Sequence, residues 1–258
     1  MRKNYIVFTD LDGTLLDHHS YSHAPAQPAL NLLESLDVPV ILNSSKTLQE
    51  IEHIASGLHQ SYPRIAENGS LIANPDTDTV HTFGGDYERI CEVLEGLRTQ
   101  YGYQFKGFHD WTPEQLAKDT GLPLDAAIRA GAREGSEPIR WLDTDDRLER
   151  FRENLAAEGL TLNRGGRYWH VMWQADKAQA MEYLVKTYTV DNQRPIVIAL
   201  GDGPNDKNML AAADIAVIVY NPDGVVIDLP HREGQQVIRT TLAGPSGWNE
   251  AIQQIINT

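Results

Sequence analysis

Short runs of apolar, often β-branched residues alternate along this chain with longer stretches of helical period. That alternation is the pattern of a parallel sheet covered by helices on both faces. The first run, Tyr5 to Thr9, predicts a strand, and Ala29, Leu30, Leu32, Leu33 and Leu36 predict a helix over about Ala26 to Leu36. Pro39 to Asn43 predicts a second strand. Thr47 followed three residues later by Glu50 is a helix-start signature, so a helix is expected from there to about Leu58. Ile65 and Ala66 make a third short run. The last third returns to the same alternation: a helix over Asp176 to Tyr188, a strand over Pro195 to Leu200, a helix over Asp206 to Ala213 and a strand over Ile215 to Val219.

Between these ends the texture changes. Glu88 to Tyr101, Pro113 to Thr120, Asp125 to Ala132 and Asp145 to Glu158 read as helices, with strands at Ile139 to Leu142, Thr161 to Asn163 and Tyr168 to Trp173. The expected fold is therefore α/β: a doubly wound, mostly parallel Rossmann-like core sheet with an inserted α+β cap. The core is assigned to residues 1–79 and 164–258 and the cap to residues 80–163.

Composition narrows the function classes. Twenty-two Lys plus Arg against 36 Asp plus Glu give a formal net charge of -14 at pH 7, with 41% hydrophobic residues. A field this negative argues against nucleic acid and against anionic membrane surfaces as partners. An anionic substrate then needs a local device to overcome the field, and a metal ion is the obvious one. The one cysteine, Cys91, excludes a disulfide or cysteine–zinc scaffold and sits beside Ile90, Val93 and Leu94, so buried packing is expected for it. Met1 to Asn4 carry two basic residues, but the apolar run after them ends at Phe8, which is not a signal peptide. No stretch approaches the roughly 20 apolar residues of a membrane span, and a cytoplasmic location is expected. Nothing in the pattern specifies an oligomeric state.

Four constellations could carry chemistry. Asp10 and Asp12, in Asp10-Leu11-Asp12-Gly13-Thr14, follow the first strand, and in open α/β sheets ligands bind beyond the carboxyl ends of strands. Such a pair can hold a hard cation, and a carboxylate can also be a nucleophile. Asp202 and Asp206, in Gly201-Asp202-Gly203-Pro204-Asn205-Asp206, follow another buried strand, although Asp206 also suits a helix cap. If the two strands are neighbours, four carboxylates converge, and bound Mg²⁺ would relieve their repulsion. Ser44-Ser45-Lys46-Thr47 ends the second strand with hydroxyls and free N–H groups that suit either an ordinary helix start or a phosphate oxygen. Lys177 opens a helix on the wrong side of the helix dipole, where it is either a solvated lysine or a cation offsetting the carboxylates.

Together, in this order and at these strand ends, the residues resemble the four motifs of the haloacid dehalogenase superfamily of phosphotransferases. The resemblance covers the whole chain. It implies that Asp10 is the nucleophile forming an aspartyl phosphate and Asp12 the general acid and then base. It further implies that Ser44, with Ser45, binds phosphate and that Lys177 is the third-motif cation. Asp10, the backbone carbonyl of Asp12, Asp202 and Asp206 would hold Mg²⁺. Glu67-Asn68-Gly69 resembles the loop after the third core strand in the Cof-type subgroup, whose type IIB cap lies between the second and third motifs.

Within the superfamily, Ser44-Ser45-Lys46-Thr47, Ala132-Arg133-Glu134-Gly135-Ser136-Glu137-Pro138, Gly165-Gly166-Arg167-Tyr168-Trp169-His170 and Gly244-Pro245-Ser246-Gly247-Trp248 look like the mannosyl-3-phosphoglycerate phosphatase family. That resemblance implies a phosphorylated sugar-glycerate as substrate and mannosylglycerate, a compatible solute, as product. Glucosyl-3-phosphoglycerate, another sugar phosphate, or a sugar phosphomutase reaction are the alternatives. Arg133 and Arg167 are candidates to clamp the glycerate carboxylate or to sit in structural ion pairs, with Glu67 and Asn68 as further candidate substrate contacts. His170 reads as a core histidine, and Gly165 and Gly166 as a hinge between cap and core.

Overall fold

Every residue of β1 (Tyr5–Thr9) is buried, because both faces of this strand are covered. Ile6 and Phe8 pack with Met181, Leu184 and Met209 on one side. Val7 packs with Leu33, Ile51 and Trp248 on the other. A strand buried on both faces reads as a continuous apolar run, which is why this one is visible in the sequence. In the computed structural model, which describes residues 4–58, 61–165 and 167–257, β1 lies near the centre of an eight-stranded sheet. Met1 to Lys3 and Gly166 fall outside the described residues.

The chain continues through α1 (Gln27–Ser35), β2 (Val40–Asn43), α2 (Leu48–Gly57) and β3 (Arg64–Ala66), then a hairpin of β4 (Leu71–Asn74) and β5 (Thr79–Thr82). Next come α3 (Tyr87–Tyr101), β6 (Phe105–Gly107), α4 (Pro113–Thr120), α5 (Leu124–Gly131), β7 (Ser136–Trp141), α6 (Asp145–Ala157), β8 (Leu160–Arg164) and β9 (Trp169–Trp173). The final stretch holds α7 (Lys177–Thr187), β10 (Ile196–Gly201), α8 (Lys207–Ala212), β11 (Ile215–Tyr220), β12 (Gln236–Ala243) and α9 (Gly244–Ile256).

The large sheet has the order β12-β11-β10-β1-β2-β3-β4-β5. Pairing is parallel from β12 to β3 and antiparallel at β4 and β5. β1 pairs with β10 on one side and β2 on the other, so the carboxyl ends of the three motif-bearing strands lie side by side. The helix expected after Thr47 begins as predicted. Thr47 Oγ1 accepts from the Glu50 amide (3.2 Å), and the Glu50 carboxylate accepts from the Thr47 amide (2.9 Å).

A second sheet, β6-β7-β9-β8, is antiparallel throughout. Its core joins Ile139 and Val171 to Ile90, Leu94, Phe151 and Leu155 of α3 and α6. The strands near residues 80 and 164 divide between the two sheets. β5 pairs with β4 and so belongs to the large sheet. β9 pairs with β7 on one side and β8 on the other, so both β8 and β9 belong to the second sheet. The expected hinge at Gly165 is instead the β8–β9 turn, where the Gly165 amide donates to Tyr168 O (3.0 Å). Among the described residues no helix is long and apolar enough to cross a membrane.

Candidate active site

The Asp10 amide donates to Leu200 O (2.9 Å), extending the β1–β10 ladder one residue past the strand and placing Asp10 at its carboxyl end. Behind it, Trp248 Nε1 of α9 donates to Thr9 Oγ1 (3.0 Å). The chain then turns through Gly13, whose φ of +77° suits glycine. A Cβ at Gly13 would lie 2.6 Å from Asp202 Oδ2, so glycine is what lets the β1 loop close on the β10 loop. Thr14 Oγ1 donates to Asp202 Oδ1 (2.7 Å) and Asn221 Nδ2 to Asp202 Oδ2 (2.7 Å), so both oxygens of that carboxylate are oriented.

Asp206 does two jobs. Its Oδ2 accepts from the amides of Asp202 (3.1 Å) and Gly203 (3.0 Å), which fixes the turn as a cap does, and its Oδ1 accepts from Lys177 Nζ (2.7 Å). Lys177 Nζ also donates to Asp10 Oδ1 at 2.5 Å. Lys177 is therefore no solvated lysine: it is 1% exposed, with its Nζ held between the first and last motifs. Asn43 at the end of β2 donates to Lys177 O (3.1 Å), tying the start of α7 to the sheet.

Carboxylate oxygens of Asp10, Asp202 and Asp206 lie within 4.8 Å of one another, and all three residues are buried. Burial raises the Asp10 carboxyl well above the ordinary range; Lys177 opposes the rise, and Asp206, Asp202 and Asp12 add to it. Burial, then Asp206, raises Asp202 too, against its bonds from Thr14 and Asn221. Lys177 shows the converse: burial alone would lower it, yet Asp10 and Asp206 hold it above its usual value. One ammonium among three carboxylates leaves an excess of buried negative charge. An oxygen-only donor set of this kind fits a hard divalent cation.

The Asp12 carboxylate stands apart from this cluster. Its Oδ2 pairs with Lys46 Nζ (2.8 Å), and its Oδ1 is buried without a partner among the described residues. Burial would lower Lys46, but Asp12 and Glu50 outweigh it and keep the ammonium above its ordinary value. Ser44 is buried with its Oγ 3.3 Å from the Lys46 amide, which donates to it, and Ser45 is half-buried.

Glu67 and Asn68 adopt positive φ values of 49° and 58° just beyond β3. The buried Glu67 carboxylate accepts from the amides of Glu134 (2.9 Å) and Gly135 (3.3 Å) and from Ser136 Oγ (2.7 Å). Its three hydrogen-bonding partners thus all lie in the segment that enters β7. Asn68 Oδ1 accepts from Asn205 Nδ2 (3.4 Å), beside Asp206.

The two candidate arginines are engaged elsewhere. Arg133 donates to Ala130 O (2.9 Å) and Ser45 O (3.0 Å), and its Nη1 is 3.8 Å from Glu67. Exposed Arg167 donates to Thr120 O (2.6 Å) at the end of α4. His170 is buried, as expected, and burial, then Arg133, pushes it down to about 3. Cys91 departs from expectation: it is half-buried and lines a cavity of about 660 Å³ with Tyr87, Asp110 and Glu137. Thr14, Asn221 and Lys46 are site residues that the sequence pattern does not single out. Thr14 and Lys46 lie inside motifs already recognised, whereas Asn221 is marked only by following the β11 strand.

A family profile described as haloacid dehalogenase-like hydrolase matches residues 7–110 and 138–229. The chain belongs to that family. It is 38% identical to the glucosyl-3-phosphoglycerate/mannosyl-3-phosphoglycerate phosphatase of Methanococcoides burtonii, over 98% of this chain and 97% of that protein. A Thermoplasma acidophilum structure superposes with a TM-score of 0.71 at 16% identity, covering 98% of each chain. A haloacid dehalogenase-like hydrolase from Bacteroides thetaiotaomicron does so with 0.69 at 18%, covering 98% of this chain and 100% of that one.

Proposed function

We propose that this chain, a phosphoric monoester hydrolase, removes phosphate from a hexosyl-3-phosphoglycerate, with the mannosyl compound first and the glucosyl compound second. The observation that supports the chemistry is Lys177 bridging Asp10 and Asp206 beside Asp202. The near full-length relative named for both substrates supports the sugar-glycerate class.

Asp10 is the nucleophile. Its Oδ1 is held by Lys177, which leaves Oδ2 to attack phosphorus in line with the departing ester oxygen. The P–O ester bond breaks as the aspartyl–phosphate bond forms, and the ester oxygen takes a proton from the Asp12 carboxyl. Asp12 then accepts a proton from water as that water attacks phosphorus, releasing phosphate and restoring Asp10. Ser44 and Ser45, at the end of β2, hold phosphate oxygens, and Lys177 offsets their charge. Mg²⁺, held by Asp10, Asp202, the Asp12 carbonyl and Asp206, supplies further charge neutralisation when bound. The inserted unit, which we place between the end of β5 and the start of α7, covers these strand ends and selects the sugar.

Phosphate release tests the reading, using mannosyl-3-phosphoglycerate, its glucosyl analogue, 3-phosphoglycerate and common hexose phosphates, with Mg²⁺ or with chelator. Hydrolysis led by a hexosyl-3-phosphoglycerate and abolished by chelator and by Asp10→Asn is expected. Activity that is metal-dependent but flat across the panel would refute the substrate class while leaving the chemistry standing.

A further inference from the structure

We infer that Lys46 reads the carboxylate of the substrate, setting preference for a phosphorylated acid over the corresponding phosphorylated alcohol. This rests on the hexosyl-phosphoglycerate reading above, whose substrate carries two anions a fixed short distance apart. A site in a chain of net charge -14 needs a cation for each. Lys177 serves the phosphate end, with two of its three donors on Asp10 and Asp206.

Three basic residues remain as readers of the second anion. Arg133, with its side chain 6% exposed, is held by Ala130 O through Nε and by Ser45 O through Nη1, with Nη1 3.8 Å from Glu67. Arg167 is bound to a carbonyl at the end of α4. Lys46 differs from both. Its ammonium has three donors but only one ion-pair partner among the described residues, Asp12 Oδ2 at 2.8 Å, and it retains 15% exposure. It also lies 5.4 Å from the centroid of the Tyr21 ring, a cation–π contact on one side.

Distance selects Lys46 as well. The ester oxygen that takes the Asp12 proton must come within about 3 Å of that carboxylate, so Lys46 Nζ is placed roughly 5–6 Å from the ester oxygen. In a 3-phosphoglycerate unit the carboxylate carbon is three bonds from the same oxygen, and its oxygens reach about 4–5 Å from it. The two reaches overlap, so the groups come to hydrogen-bonding distance when the carboxylate turns to the Lys46 side of the ester oxygen. Ammonium and carboxylate then form a charge-assisted bond in a partly desolvated place.

The test uses the full chain with Mg²⁺ and two matched substrates: the hexosyl-3-phosphoglycerate and the hexosyl glycerol 3-phosphate that has hydroxymethyl in place of carboxylate. Wild type is expected to prefer the acid, and Lys46→Met to reduce the ratio of the two kcat/KM values about 10- to 100-fold, as for loss of one charged hydrogen bond. Lys46→Arg should restore most of the ratio. Circular dichroism and Tm report on folding of each variant, and Lys46→Gln substitutes if the Met variant does not fold. If Lys46 only holds Asp12, both substrates slow equally and the ratio stays put, which overturns the inference alone. Wild type that releases no phosphate from the acid overturns the substrate reading and this inference with it.

Discussion

Glu67→Gln is the substitution that most directly probes how the loop after β3 is tied to the segment entering β7. The native carboxylate is fully buried and accepts three hydrogen bonds from Glu134, Gly135 and Ser136, with Arg133 3.8 Å away. A glutamine oxygen retains the Glu134 amide at 2.9 Å, but its NH₂ group faces the Gly135 N–H, so one charged bond is lost outright. The Ser136 hydroxyl can rotate to accept instead. One hydrogen bond to a charged group is worth about 1.5–3 kcal/mol, and leaving Arg133 short of a buried counter-charge adds to that. We expect a loss of about 3 kcal/mol, or roughly 6–12 °C in Tm for a chain of this size. Calorimetry gives the first number, and amide hydrogen exchange at Glu134 and Gly135 should show lowered protection. A Tm within about 2 °C of wild type together with unchanged exchange would mean that this carboxylate is not the tie.

Two further outcomes follow from groups around the site and in the inserted unit. Burial pushes the Glu137 carboxyl up to about 7 from 4.5, despite bonds from the His109 amide and the Tyr87 hydroxyl. The folded chain thus binds this proton more tightly than the unfolded chain, and the stability it brings is full below 4.5 and lost as pH rises through about 7. Glu137→Gln should match wild type near pH 4.5 and exceed it by about 2–3 kcal/mol near pH 8; parallel urea midpoints across that range would show the group to be ordinary. Asn221→Leu removes the donor to Asp202 Oδ2 and should weaken Mg²⁺ binding about 10- to 100-fold in calorimetric titration, whereas an unchanged Kd would show that Asp202 needs no such orienting.

Strands buried on both faces are plain in the sequence, and so are the acids at their ends, because a cluster of carboxylates directly after an apolar run stands out against both the strand before it and the helix after it. The edges of the inserted unit are not. β5 and β9 each have strand character, and only their pairing, β5 with β4 and β9 with β7, decides which sheet takes them. β12 is largely exposed at the sheet edge, so it lacks the apolar run that marks β10 and β11. The partners of charged groups are the least legible part. Arg133 looks as suited to a substrate as Lys46 does, and only the fold shows Glu67 and the Ser45 carbonyl beside it. Glu67 itself, expected at the substrate, is taken up by the entry to β7.

The central position of β1 has a consequence for synthesis on the ribosome. One edge of this strand finds β2 within a few dozen residues, but the other pairs with β10, whose first residue is Ile196. At about 5–20 residues per second, β10 follows β1 by roughly 10–40 s. Throughout that interval a mostly apolar strand, with Asp10 just beyond its end, presents an open edge, which is the surface that invites mispairing between nascent chains. The residue proposed as nucleophile is thus made well before the strand that encloses it, and expression yield should depend on whatever shields that edge until β10 arrives.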